Sequence, residues 1–419
     1  MKTIFANASN SSGKTEQSSS ILFLNVAAAS SSSILEHPLN DGYRRICHYF
    51  GCGLIDRTSV LSSGAPLLAV SELPRPFGAG MIPDFSKLCA DRAQEIWSRA
   101  VHENKEIMVL WSGGLDSSTV LMSLIEIAQE NNDLERLFVG YSHHSKTEHP
   151  SMFKKIKSLR KKTGLFSSSK SKSQDGLWLN KRASVQEMTK GFDGLVVTGE
   201  GGDQMFGSAM ALAYDFDILK QPWPAVLERM IEMRLQDGEA ARIAYDFVAP
   251  QIRAGIGDKA SAYKALWWLN ISCKWNTVML RMPVMDTAST KDCLNRYEHF
   301  FATIPFQRWA LSQDRETPPK SWRHYKMEMR ETLFTLDGDE DYHRTKVKIP
   351  SLCNVFPGSS GQKMIVTTDM KAHTSDVVRR NKEDDDGGVE MSVSVWDDAS
   401  YKTHYENFSD GYSDSTDGG

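Results

Sequence analysis

Ser112-Gly113-Gly114-Leu115-Asp116-Ser117-Ser118 is the stretch on which the reading of the whole chain turns. Before it lies Glu106-Ile107-Met108-Val109-Leu110-Trp111, an apolar run of strand length. After it, Val120, Leu121, Leu124, Ile125 and Ala128 recur at helical spacing. The spacing predicts strand, glycine-rich turn, helix. Two glycines let the backbone turn sharply and approach a ligand closely. Three hydroxyls and the free amides of a helix N-terminus then favour an anion in the turn. A carboxylate inside an anion site makes sense when a cation bridges the two, so Asp116 points to a magnesium–phosphate ligand. No lysine follows the glycines, so this is not the ordinary P-loop pattern. The bland alternative is a Ser/Gly helix cap that holds nothing.

A second turn of the same kind follows: Gly194-Leu195-Val196-Val197-Thr198-Gly199-Glu200-Gly201-Gly202-Asp203-Gln204-Met205-Phe206-Gly207. A buried strand here ends in a glycine-rich turn with two carboxylates three residues apart. Between the two turns, Leu134 to Tyr141 reads as another strand. Strand, helix, strand implies a right-handed parallel unit that binds ligand at the carboxyl edge of the sheet. Val139 and Gly140 are placed at that edge, where an adenine would rest. Asp116 and Asp203 could then ligate one magnesium from opposite sides.

These two stretches together closely resemble the synthetase domain of asparagine synthetases, a branch of the PP-loop ATP pyrophosphatases; β-lactam synthetases and lasso-peptide cyclases look similar in the same places. That family shows Gly-Glu-Gly-[Ser/Gly]-Asp-Glu-[Leu/Val]-Phe-Gly, and Gln204 stands here for the second acid of the Asp-Glu pair. The resemblance implies an α/β fold: a parallel sheet with flanking helices, adenine nucleotide α-hydrolase-like, followed by a mostly helical subregion. It implies ATP and Mg²⁺ as cofactors. Asp116 and Asp203 would hold the metal, and Ser112, Gly113, Gly114 and Ser117 the phosphates. Trp111, Val139, Thr198 and Gly199 would complete the nucleotide site, and Glu200 would handle the proton of an incoming amine. Trp322 to Arg330 reads as a helix and resembles the family's Lys-x-x-Leu-Arg segment. Tyr342 to Pro350 resembles the Arg-[Pro/Gln]-Lys stretch whose lysine stabilises the leaving pyrophosphate. Lys346 is the choice for that lysine, with Lys348 its rival; the charge spread over phosphate oxygens needs such a cation.

The likeness fades elsewhere. Ala260 to Met282 reads as helical, and Arg281 and Pro283 match the family's Glu-x-Arg-x-Pro. The family's aspartate is Cys273 here and its glutamate Met279 or Leu280, which makes core packing the better reading of this helix. The resemblance does not extend to the residues before position 91. Glutamine-using members begin with a catalytic cysteine after the initiator methionine, whereas Lys2 follows Met1 here. Ammonia or an amine is therefore the expected nitrogen source, and a small-molecule carboxylate (aspartate by the resemblance) its partner. The expectation is an ATP-dependent, amide-forming ligase. A nucleotide-binding scaffold without catalysis, or another PP-loop chemistry such as nucleobase or tRNA modification, stands as the alternative.

The chain has 419 residues, 40% of them hydrophobic, enough for a large core. Its net charge of −4 gives no nucleic-acid footprint, so no nucleic-acid partner is expected. Six cysteines form no C-x-x-C pair, and no apolar run reaches membrane-spanning length. A cytoplasmic protein without a membrane partner is expected, and no signal bears on oligomeric state. Cys47, His48 and Cys52 lack a second ligand pair and read as core residues. His143, His144 and His149 read as solvated loop residues rather than a metal site. Residues 154–182 carry ten Lys/Arg against one acid and read as a solvated basic face. The expected organisation is a Ser-rich disordered segment over 1–35, a small N-terminal region over 36–90, the PP-loop domain over 91–350, and an acidic disordered tail over 351–419.

Overall fold

The computed structural model describes residues 19–78, 80–163, 185–207, 209–285, 295–320, 324–345, 363–368 and 372–375. In chain order its main elements begin with β1 (Ile21–Leu24), α1 (Asp41–Phe50), α2 (Phe85–His102), β2 (Ile107–Trp111), α3 (Leu115–Glu130) and β3 (Leu137–Tyr141). Next come α4 (His143–Glu148), α5 (Pro150–Thr163), β4 (Leu195–Thr198), α6 (Gly202–Phe206), α7 (Trp223–Leu235), α8 (Gly238–Ile256), α9 (Ala262–Cys273) and α10 (Trp275–Met285). The last are β5 (Tyr297–His299), α11 (Ile304–Leu311), α12 (Met327–Asp337), α13 (Glu340–Thr345), β6 (Lys363–Thr367) and β7 (Ala372–Ser375).

The central sheet has four parallel strands in the order β3-β2-β4-β5, flanked by helices. All five residues of β2 are buried, as expected of a strand covered on both faces. Ile107, Val109 and Trp111 face the main core beneath α3. Met108 and Leu110 face a smaller cluster with Met188, Val196, Met282 and Tyr297. Helix α3 packs beneath α2 and α12. From β2 the chain moves outward to β3, then returns to β4 on the other side of β2. The strand order therefore reverses between β2 and β4, and a crevice opens at their carboxyl ends.

Residues 216–285 are mostly helical, as expected for the subregion after the sheet. The predicted helix over 260–282 is two, α9 and α10, which meet at Lys274. Cys273, Met279 and Leu280 are all buried, so core packing is what these positions do. The four described cysteines are free and buried, Cys47 and Cys52 among them. Among the described residues, no helix is long and apolar enough to cross a membrane.

The two ends of the chain depart from expectation. Residues 1–18 and 376–419 lie outside the described residues, but within the segments expected to be disordered β1, β6 and β7 form an antiparallel sheet in the order β1-β6-β7. Ile21 pairs with Thr367 and Leu24 with Ile365. All four β1 side chains are buried, and such side chains contribute about 1.5–3 kcal/mol each when removed from water. That gain offsets the ordering cost which the serine-rich flanks suggested would dominate. The region between residues 36 and 90 is stitched to the helical part. Helix α1 lies on α8, so closely that a Cβ at Gly42 would collide with Phe247. Buried Asn276 accepts from Val70 N–H (3.1 Å) and donates to the carbonyls of Leu22 (2.9 Å) and Leu68 (2.8 Å). Buried Arg57 donates to the carbonyls of Ser71, Glu72 and Ile271 and to Gln307 Oε1, and lies over the Trp275 ring.

Candidate active site

The first glycine turn leaves the carboxyl end of β2 and the second leaves that of β4, so the strand-order reversal sets them side by side. They touch. A Cβ on Gly199 would lie 2.9 Å from Ser117 N, and one on Gly202 would run into the Asp116 carboxylate. Gly201 (φ 95°) and Gly113 (φ 87°) hold left-handed backbone that side chains other than glycine rarely adopt. The glycines thus serve the contact between the turns as well as any ligand.

The structure brings Asp116 and Asp203 to one point, and a cation stands there. Lys326 Nζ lies 2.6 and 2.7 Å from the two Asp116 carboxylate oxygens and 2.7 Å from Asp203 Oδ1. Only 3% of the Lys326 side chain is exposed, against 26% for Asp116 and 35% for Asp203. The Tyr325 hydroxyl is 3.5 Å from Asp203 Oδ1, and burial, with Asp203 beside it, pushes this phenol well above its ordinary pKa. Sequence reasoning missed Lys326 because Trp322 to Arg330 reads as one helix. Instead α12 begins at Met327, residues 321–323 lie outside the described residues, and Lys326 holds left-handed backbone (φ 58°, ψ 46°). Lys346 and Lys348 lie outside the described residues.

The serines of the first turn satisfy its own amides. Ser112 N–H donates to Ser117 Oγ (3.1 Å), Gly114 N–H to Ser112 Oγ (3.3 Å), and the two hydroxyls are 3.0 Å apart. Tyr342 and Ser145 brace the turn from below, their hydroxyls donating to the Gly113 and Trp111 carbonyls, each at 2.9 Å. Trp111 is buried, its indole N–H donating to Ser118 Oγ (3.0 Å), so it supports the turn from beneath. His149 is not solvated as expected: it is fully buried, stacked on Tyr342 at 3.4 Å, with Nδ1 3.2 Å from Ser118 Oγ. Its place at the start of α5, in a polar stretch, gave no sign of this. Val139 is also misplaced by the sequence reading. It pairs with Val109 in mid-strand and belongs to the core, so the carboxyl edge falls at Tyr141.

Glu200 is buried and its Oε2 lies 2.5 Å from an Arg281 Nη. Burial works against the guanidinium charge, but Glu200 and then Asp203 more than offset it, and the Arg281 pKa is raised. The pairing relieves what would otherwise be an isolated buried charge. Behind Glu200 runs a hydrogen-bond chain that fixes the second turn. Glu200 N–H donates to Thr198 Oγ1 (3.2 Å), and Thr198 Oγ1 is 2.7 Å from His299 Nδ1. His299 Nε2 is 2.7 Å from the Met279 carbonyl. A carbonyl only accepts, so Nε2 carries the proton and Nδ1 accepts from the threonine.

Burial lowers the His299 pKa below its ordinary value. Below about pH 6.5 the unfolded chain takes up a proton that the native ring does not. The stabilising contribution is therefore present above that pH and is lost as pH falls toward the folded-state value. His48 shifts in the same direction, so the useful quantity is a difference between two proteins. The melting temperature is expected to fall between pH 7 and 5.5, and to fall less in His299→Gln. Equal slopes in circular-dichroism melts of the two proteins would contradict this assignment.

Among the described residues, no group of three or more His, Cys, Asp or Glu side chains gathers as a ready-made metal set. Two converging carboxylates nonetheless fit magnesium, which binds through one or two carboxylates and takes its remaining oxygens from phosphates and water. The site thus offers a two-carboxylate cation position, a hydroxyl- and amide-rich turn beneath it, and a Glu–Arg pair at its side. Comparison with protein-family models, with curated proteins and with solved structures found no match to this chain.

Proposed function

We propose that the chain is an ATP-dependent, AMP-forming ligase of the asparagine synthetase type, joining a carboxylate to an amine or ammonia. The observation that carries the reading is the convergence of Asp116 and Asp203 on one cation position above the turn at Ser112–Ser117. In this reading a carboxylate oxygen of the substrate bonds to the α-phosphorus as the bond to pyrophosphate breaks. The amine nitrogen then bonds to the acyl carbon as AMP leaves, and the amine proton passes to Glu200. Magnesium between Asp116 and Asp203 would neutralise phosphate charge. The Ser112 and Ser117 hydroxyls and the Gly114 amide would turn from one another to phosphate oxygens. Arg281 orients Glu200 and balances its charge before the proton arrives.

Cys273 and either Met279 or Leu280 stand where the resembling family has acids, and all three are buried. None can greet a substrate amine, so aspartate enters the test as one acid among several. The test is pyrophosphate release from ATP·Mg²⁺ with aspartate plus ammonium, each alone, and a panel of other carboxylates. Release that depends on an acid, with AMP and an amide as products, supports the ligase. ATP binding with no release for any acid moves the chain to the scaffold reading, which the lysine seated between the two aspartates favours. Within the basic stretch, Lys155 lies 3.5 Å from the Leu336 and Asp337 carbonyls at the end of α12, and residues 164–184 lie outside the described residues.

A further inference from the structure

We infer that the Lys326 ammonium is a built-in occupant of the metal position, and that a divalent ion reaches Asp116 and Asp203 only by displacing it. The inference rests on reading those carboxylates as metal ligands, as proposed above. An ammonium has three donors, and three carboxylate oxygens stand at 2.6, 2.7 and 2.7 Å from Lys326 Nζ. Magnesium needs oxygens at about 2.0–2.1 Å. An ion bonded to these oxygens would press against an ammonium already in contact with them, and two cations at such range repel. Ammonium and metal therefore exclude each other.

The backbone allows the exchange. Lys326 O accepts the Arg330 N–H at 2.9 Å in the first turn of α12, so the main chain is anchored. The left-handed conformation that aims the side chain at the carboxylates is a strained one for lysine, of the kind retained at functional positions. What remains movable is the flexible four-carbon stem. Charge gives the exchange a direction. Two carboxylates and one ammonium leave the cluster at −1, whereas a divalent ion in the same place leaves it neutral. The displaced ammonium needs new oxygens, and phosphate supplies them. A bare metal ion is thus held weakly, and metal with nucleotide tightly. The Ser112–Ser117 turn repeats the pattern, its hydroxyls filling its own amides until an anion replaces them.

The test is Mn²⁺ binding without nucleotide, followed by the electron paramagnetic resonance of the free ion. Lys326→Met is expected to bind one Mn²⁺ at least tenfold more tightly than wild type, and Asp116→Asn added to it should abolish the gain. A folded Lys326→Met that binds Mn²⁺ no better than wild type overturns the inference, as does a gain that survives Asp116→Asn. Should Lys326→Met fail to fold, wild type answers alone. Acetic anhydride is expected to modify Lys326 slowly and, once Mn²⁺ is saturating, severalfold faster, with Lys87 (side chain 68% exposed) as internal standard. An unchanged rate with Mn²⁺ bound overturns the inference. The two readings fail separately: acid-dependent pyrophosphate release without the Mn²⁺ effect removes the occupant and keeps the ligase. The Mn²⁺ effect without release does the reverse.

Discussion

Asp116→Asn is expected to lower pyrophosphate release by about 10²–10³-fold or more, the scale seen when one electrostatic stabiliser is lost from a preorganised site. The change is isosteric, so the contact with the second glycine turn is kept. What goes is half of the charge that positions a cation against the phosphates. Asp203 retains its contact with Lys326, which limits the structural effect. The loss should therefore appear with melting nearly unchanged. Asp203→Asn should behave alike, and the double variant should cost far less than the product of the two, since the carboxylates act on one ion. Wild-type rates in Asp116→Asn, measured under conditions where wild type turns over, would remove the aspartate pair from the mechanism.

Arg57→Ala is expected to lower folding stability by about 3–5 kcal/mol, with no group of the candidate site touched. The Arg57 guanidinium supplies donors to three carbonyls, to Ser71 Oγ and to Gln307 Oε1. Removing it leaves buried acceptors without their donor and a cavity beside Trp275. Arg57→Lys should recover only part, because three donors on a flexible stem cannot reproduce a planar five-donor fork. A shift in the urea midpoint measures the cost, and limited proteolysis should show new cleavage within residues 57–78. An unfolding free energy within about 0.5 kcal/mol of wild type, the range of ordinary surface changes, would show that the segment is held by other contacts.

The two glycine turns were legible because glycine spacing and continuous apolar strands are local signals. So was their meeting, in outline, since both follow strands of one parallel sheet. Strand order was not legible, because nothing local states on which side of β2 the next strand adds. Strand β5 escaped for a related reason: it is three residues long, Tyr297-Glu298-His299, and its central Glu298 is paired with Arg92 and Arg99 from α2. A charged residue held by arginines distant in sequence resembles loop until the partners are known. Lys326 escaped because it was read as lying inside a helix, whereas it is a left-handed residue just before one. His149 and Val139 mark the opposite limit. A polar neighbourhood in sequence did not imply solvent, and an apolar residue near a strand end did not imply the ligand edge.

The pairing of β1 with β6 also has a consequence for synthesis. Ile21–Leu24 leave the ribosome well before their partners around Ile365–Thr367, with the whole central sheet between them. Throughout that interval a short, wholly apolar strand waits without the neighbour that completes its hydrogen bonds, and such edges recruit other chains. The pairing of β1 with β6 therefore waits for the synthesis of everything that lies between them. A ribosome that stopped before Lys363 would release a polypeptide holding both glycine turns and Lys326, yet lacking the strand that pairs with β1. For such a product the expected fate is aggregation or degradation.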